Sequence, residues 1–344
     1  MGSNERGEFQ KEMAGGEQSR GEVSTNFSQK HSASSPASPA SPALSSTSVS
    51  GLELWQWRQE AWQLATEAGV PTAEVDWLLQ EVAGLDSLAL RLGSFKERSQ
   101  IQLRYPLPIL SQMWQQRLHE RMPIQYLAGV TPWRHFSLTV SPAVLIPRPE
   151  TEYLIDLALE AAKNNPTAQL ELGHWVDLGT GSGAISLGLA DVFPEATIHA
   201  VDRSTAALAI AQQNAHKAGL QQRIRFYQGS WWEPLNALKG QVSGMVSNPP
   251  YIPSRLIAQL QPEVANHEPH FALDGGADGL DCIQHLIETS LDYLRPGGVW
   301  LIEMMAGQAD TVAQLLHQQG SYCHIQILPD LAGIDRFALA YRLK

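Results

Sequence analysis

An open, doubly wound parallel α/β sheet, preceded by a small helical domain and a β-hairpin, is the architecture that this 344-residue sequence predicts. Three observations predict it. From about residue 170 onward, short apolar runs alternate with amphipathic stretches, the pattern of successive βαβ units. A glycine-rich turn, Gly179-Thr180-Gly181-Ser182-Gly183, joins the first of these strands to its helix. Between about 51 and 120, by contrast, apolar residues recur at roughly helical spacing.

Residues 1–50 are rich in Ser, Gly, Glu, Gln and Ala and end in a repeated Ser-Pro-Ala. So few large apolar side chains cannot offset the entropy of ordering, and a disordered tail is expected. A cleaved targeting peptide competes with that reading, but the several acidic residues make a poor transit sequence. From Leu52, the residues Leu54, Trp55, Trp62, Leu64, Val75, Trp77, Leu78, Leu79 and Val82 follow helical spacing. Pro71-Thr72-Ala73-Glu74 reads as a helix start, and a further helix is expected over 108–121. This gives a helical domain over 51–120, either a packing unit or a surface for a partner protein. Alternation around 133–140 predicts a β-hairpin within a linker spanning 121–148. The remaining domain, 149–344, opens with Pro149 at a first helical position and with Glu150 and Glu152 at the positive helix end. Arg148, beside two prolines, is placed to cover an anionic group. Strands are expected over 174–178, 197–201 (ending in Asp202), 223–228, 242–247 and 298–303, then near 323–328 and 336–342, the last antiparallel. Helices are expected from the glycine turn through 190, over 205–218 and 279–294, and from 307.

Composition narrows the partners. With 24 Lys+Arg against 35 Asp+Glu, the net charge of −11 argues against a nucleic-acid duplex as direct substrate. Cys282 and Cys323 are the only cysteines, with no CxxC and no histidine spacing suited to zinc, so free thiols, no metal and a reducing, cytoplasmic setting are expected. No apolar run reaches the length of a membrane span.

In a sheet of this kind ligands sit beyond the carboxyl ends of the strands, where every candidate residue falls. Gly179, Gly181 and Gly183 let the backbone approach a ligand, and Asp202 can hold two ribose hydroxyls. Nicotinamide, flavin and adenosylmethionine sites all use such a turn. Two features favour adenosylmethionine. Asp177 beside the turn suits a cofactor with an amino-acid end and a sulfonium, and Asn248-Pro249-Pro250-Tyr251, after the fourth strand, has no evident use in a dinucleotide enzyme. That tetrapeptide instead suits methylation of a planar nitrogen. The Asn248 side-chain oxygen and the Pro249 carbonyl can accept both N–H groups and aim the delocalised lone pair, Pro249 and Pro250 stiffen the loop, and Tyr251 offers a stacking face. Trp231, after the third strand, is placed either to flank an adenine or to pack in the core.

Over residues 51–344 the chain resembles the release factor glutamine methyltransferase family (HemK/PrmC). The matching stretches are 121–129, 146–152, 177–183, 248–252, Glu268-Pro269, Leu273-Asp274-Gly275-Gly276, Asp278-Gly279-Leu280 and 330–336. The resemblance implies a class I, Rossmann-like methyltransferase domain behind an N-terminal helical domain and hairpin linker. It implies methyl transfer from S-adenosyl-L-methionine, leaving S-adenosyl-L-homocysteine, to the side-chain amide nitrogen (N5) of the Gly-Gly-Gln glutamine of class I peptide chain release factors, by a monomer. Carried over by position, Gly179, Thr180, Gly181, Ser182, Gly183, Asp202, Trp231 and Asn248 would hold the cofactor, and Asn248, Pro249, Pro250 and Tyr251 the glutamine. The chain departs from the family in three places. Ser230 stands where an acidic residue is frequent, Glu303-Met304-Met305 replaces Glu-Ile-Gly, and the tail has no counterpart. A glutamine of a ribosomal protein, an adenine or guanine amine of nucleic acid, and a non-catalytic adenosylmethionine-binding adaptor are the alternatives.

Overall fold

The computed structural model describes residues 47–165 and 169–343. The expected tail lies outside the described residues up to 46, but its last residues are ordered by pairing. The helical part comprises β1 (Thr47–Val49), α1 (Gly51–Ala68), α2 (Ala73–Ala83), α3 (Ser87–Leu92), β2 (Ile101–Leu103), α4 (Leu107–His119) and α5 (Ile124–Ala128). Strand β1 pairs antiparallel with β2, and Ser50 opens α1 with a capping box closed by Glu53. Of the periodic apolar residues, Leu54, Val75, Leu78, Leu79 and Val82 meet in one core with Leu110 and Trp114. Trp55, Trp62 and Trp77 pack against it half-buried, and Leu64 is exposed on the surface of α1. The core extends to Val130, past the expected boundary at 120.

The hairpin is β3 (Val130–Trp133) and β4 (Phe136–Thr139), and α6 (Tyr153–Lys163) follows a 3-10 turn over Glu150–Glu152. Arg134 at the hairpin tip holds that turn, its backbone N–H donating to Glu152 Oε1 (2.7 Å) and its guanidinium to the Glu152 carbonyl (3.1 Å). The sheet domain then runs β5 (His174–Leu178), α7 (Ala184–Val192), β6 (Thr197–Asp202), α8 (Thr205–Lys217), β7 (Ile224–Gln228), β8 (Val242–Ser247), α9 (Ser254–Ile257), α10 (Pro262–His267), α11 (Asp281–Thr289), β9 (Leu294–Glu303), α12 (Ala309–Gln319), β10 (Tyr322–Pro329) and β11 (Asp335–Arg342).

Seven strands form one sheet in the order β10-β11-β9-β8-β5-β6-β7, with β11 antiparallel to both neighbours and β5 to β9 parallel. This is a Rossmann-like, doubly wound fold closed by an antiparallel strand pair. The chain leaves β5 for β6 and β7 on one side and returns to β8 on the other, so the order reverses between β5 and β8. A crevice opens at that switch point, beyond Leu178, Asp202, Ser247 and Glu303. Ser247 Oγ donates to the Leu178 carbonyl at 2.6 Å and fixes the two strand ends together.

Several elements differ from the sequence reading: β1, β2, α3 and α5 were not expected in the helical part, and the expected 279–294 helix ends at Thr289, before a 3-10 turn over Ser290–Asp292. Strand β9 begins at Leu294 rather than 298, because Pro296 and Gly297 are accommodated as a register shift between Val242 and Gly244 of β8. Helix α11 begins only at Asp281, because Gly279 has a left-handed φ of 81°.

Candidate active site

The glycine turn is shaped from below by Asp177, which is wholly buried. Its Oδ2 accepts from Thr180 Oγ1 (2.6 Å), Ser186 Oγ (2.7 Å) and Ser186 N (3.0 Å), while Oδ1 is buried with no partner among the described residues. The sequence reading placed this carboxylate beside the glycine turn, as suited to a cofactor with an amino-acid end, and beside the turn is where it lies. Its side chain turns inward and locks the loop, and it is not on the wall of the cavity that lies over this turn. Burial pushes its pKa up to about 6, against a stabilising pull from the Thr180 and Ser186 donors. The folded protein therefore binds a proton here that the unfolded chain has already released. Stability from this group is full below about pH 4, falls as pH rises and is lost above about pH 6, a change of about 3 kcal/mol. Asp177→Asn is expected to flatten that slope, and melting curves of both proteins between these limits check it; parallel pH profiles would refute the assignment.

Gly179, Gly181 and Gly183 take left-handed φ values of 80°, 54° and 84°. A Cβ on Gly183 would lie 3.0 Å from Ala211 Cβ, so its absence lets α8 close on the loop. From α8, Asn214 reaches both the loop and the hairpin, donating to the Ser182 carbonyl (2.9 Å) and the Thr139 carbonyl (3.0 Å) and accepting from Thr139 N (2.7 Å).

A cavity of about 480 Å³ lies over this turn. Gly179, Gly181, Asp202, Trp231, Asn248 and Pro250 all line it, so six residues chosen from sequence converge on one space. Thr180, Ser182, Gly183, Pro249 and Tyr251 are not on its wall. The Thr180 hydroxyl is engaged with Asp177, the Ser182 carbonyl with Asn214, and the Tyr251 hydroxyl with Glu303. Val144, Phe271 and Asp274, which the sequence reading did not select as site residues, are among the other residues of the wall.

The donor set fits adenosylmethionine. A Cβ on Gly181 would meet nothing within 4 Å, so the bare backbone there leaves room for a ligand. Asp202 is 7 % exposed and accepts from Gly181 N and Ser204 N, each at 2.9 Å, which aims its carboxylate; burial raises its pKa. Trp231, with φ of 51°, brings its indole edge to 3.8 Å from where a Gly179 Cβ would stand. Ser230 also lines the cavity, its N–H donating to Glu233 Oε2 at 3.1 Å.

Asn248 Nδ2 donates to Thr151 Oγ1 (3.2 Å), Thr151 Oγ1 donates to Glu303 Oε2 (2.6 Å), and Tyr251 Oη donates to Glu303 Oε1 (2.9 Å). Thr151 and Glu303 are 3 % and 2 % exposed. Of the departures from the family pattern, Met304 fills the core and Met305 N donates to Gln308 Oε1 (2.9 Å). Gln308 Nε2 in turn donates to the Tyr251 and Gly279 carbonyls, each at 3.1 Å, clamping the segment after β8 to the loop before α11. A Cβ on Gly279 would lie 2.2 Å from the Tyr251 carbonyl oxygen. Gly279→Ala is therefore expected to cost about 2 kcal/mol of stability and to raise KM for the protein substrate. Thermal melting and initial rates test this, and an unchanged Tm would contradict it.

Arg148 does not cover an anion at this cavity. Its Nη2 donates to Glu268 Oε1 at 2.7 Å, and the buried Glu268 takes up its charge. Nearby, Arg117 and Arg121 both pair with Glu263, tying α4 and the segment after it to α10.

Residues 157–263 match the family described as Methyltransferase small domain. The chain is 53 % identical to the release factor glutamine methyltransferase of Synechocystis sp., over 86 % of this chain and 98 % of that one. It is 50 % identical to that of Thermosynechococcus vestitus, over 83 % and 96 %, and 44 % identical to that of Gloeobacter violaceus, again over 83 % and 96 %.

Proposed function

The chain belongs to the release factor glutamine methyltransferase family, and from that premise we propose that it methylates the side-chain amide nitrogen of the Gly-Gly-Gln glutamine in class I peptide chain release factors. The observation that carries the reading is Asn248, which stands on the wall of the same cavity as Gly179, Gly181 and Asp202. One side chain thus faces both the cofactor's space and the reacting nitrogen.

S-adenosyl-L-methionine, when bound, supplies an electrophilic methyl group on its sulfonium sulfur. Gly179, Gly181, Asp202 and Trp231 would hold it, Asp202 at the ribose hydroxyls and Trp231 at the adenine. The chain's own contribution to the chemistry is alignment. Asn248 Oδ1, on the cavity wall, would accept one N–H of the substrate amide; the carbonyl of the adjoining Pro249, which lies off that wall, is the acceptor we assign to the other, and Pro249 and Pro250 contribute no competing N–H. Holding the nitrogen in this way is the kind of positioning worth roughly 7–11 kcal/mol in favourable cases. Pro250 lines the cavity beside Asn248.

No helix among the described residues is long and apolar enough to cross a membrane. Both cysteines are unpaired, which supports action in the cytoplasm, where translation terminates. A monomer is the expected working form, with the helical part (51–120) contributing to partner recognition.

The test is methyl transfer from labelled S-adenosyl-L-methionine to a purified, unmethylated release factor, with peptide mass spectrometry locating the label. A gain of one CH₂ on the Gly-Gly-Gln glutamine is the expected result. Cofactor binding without transfer would overturn the proposed substrate and redirect the search to ribosomal proteins, then RNA.

A further inference from the structure

Asn248 presents either an oxygen or an NH₂ group to the cavity, two arms of nearly identical shape. What fixes the choice lies behind it. The Glu303 carboxylate, at the end of β9, receives Thr151 Oγ1 on one oxygen and Tyr251 Oη on the other. A carboxylate only accepts, so each hydroxyl must direct its single proton at Glu303. Thr151 Oγ1 then retains only lone pairs, and its remaining contact, at 3.2 Å, is the Asn248 amide. Only the NH₂ arm can satisfy that contact; the reversed amide would set lone pairs against lone pairs. Oδ1 is thereby left on the opposite arm, and among the described residues it accepts no hydrogen bond.

We propose that Glu303 and Thr151 form a positioning relay that holds the Asn248 amide with Oδ1 facing the substrate nitrogen. The assignment of a substrate nitrogen rests on the methyltransferase reading above; the relay itself rests on proton counting along three hydrogen bonds. Neither residue touches the reacting atoms.

The relay has a pH signature. Burial raises the Glu303 pKa, opposed by the Thr151 and Tyr251 donors and by Arg336 on β11, and reinforced by Glu150. A protonated Glu303 carries a donor of its own, which frees a hydroxyl proton and lets Thr151 donate to Oδ1. The amide then turns, so kcat at saturating cofactor and substrate falls as pH drops through the Glu303 pKa.

The experiment compares Thr151→Val, which keeps shape and loses the hydroxyl, with Thr151→Ser, which keeps the hydroxyl. Thr151→Val is expected to lower kcat about tenfold to a hundredfold, with KM and cofactor Kd within about twofold, and to lose the acid limb of the kcat profile. Thr151→Ser is expected to retain kcat within about threefold and to keep that limb. Wild-type kcat in Thr151→Val, or losses confined to KM, Kd and Tm in both variants, would overturn the relay. A substrate-free readout separates the two ideas. The Asn248 side-chain NH₂ resonances are expected to shift with Glu303 titration in the wild type and to stop doing so in Thr151→Val. Resonances insensitive to both overturn the relay whatever the substrate; responsive resonances with no glutamine methylation leave the relay standing and sink the substrate assignment.

Discussion

Asn248→Ala is expected to lower kcat about a thousandfold while leaving the fold and cofactor affinity nearly intact. The magnitude is that of removing one preorganised polar group from a site where the reacting centre must be aimed. Stability changes little because Asn248 is only partly buried and its one side-chain bond, to Thr151, is long at 3.2 Å. Asn248→Asp is a sharper version of the test. It keeps an acceptor facing the substrate but removes the NH₂ that satisfies Thr151, and it sets a charge near Glu303. It is expected to recover little activity. Turnover of Asn248→Ala within about tenfold of the wild type would show that the Pro249 carbonyl alone suffices, and the two-acceptor mechanism would fail.

Asp202→Ala is expected to weaken S-adenosyl-L-methionine binding about a hundredfold. Two losses combine. The ribose hydroxyls lose a charge-assisted acceptor, and Gly181 N loses the oxygen that holds it at 2.9 Å, so the glycine turn is no longer pinned from the β6 side. Asp202→Asn keeps an acceptor for one of these partners and is expected to fall between the alanine variant and the wild type. Calorimetric titration measures both, and equal Kd values for Asp202→Ala and the wild type would remove Asp202 from the cofactor site.

How far these residues were legible in the sequence depends on how far apart their partners lie along the chain. The strands at His174–Leu178 and Val242–Ser247 have the bounds their apolar runs imply, since alternation and flanking turn residues are local signals. The left-handed turn at Gly179 to Gly183 is equally local, because φ is set within each residue. The first limits of β9 and α11 were missed for the same kind of reason in reverse. A Pro-Gly-Gly inside a strand reads as a turn until a neighbouring strand absorbs it as a register shift.

By itself, then, the sequence determined the sheet order's raw material, the glycine turn, the acid at the end of β6 and the Asn-Pro-Pro-Tyr loop, all of them short-range features. Only the tertiary structure decided that Thr151 reaches Glu303 across 152 residues, that Asn248 reaches Thr151 across 97, that Asn214 reaches Thr139 across 75, and that Arg148 meets Glu268 across 120. It also showed that Asp177 turns inward to Thr180 and Ser186. The physical reason is common to the four long-range pairs; Asp177 is turned by donors only three and nine residues further on. A side chain's hydrogen-bond partner is chosen by which buried donors and acceptors packing leaves facing one another, and that is a property of the assembled sheet and its crossovers, not of any window of the chain.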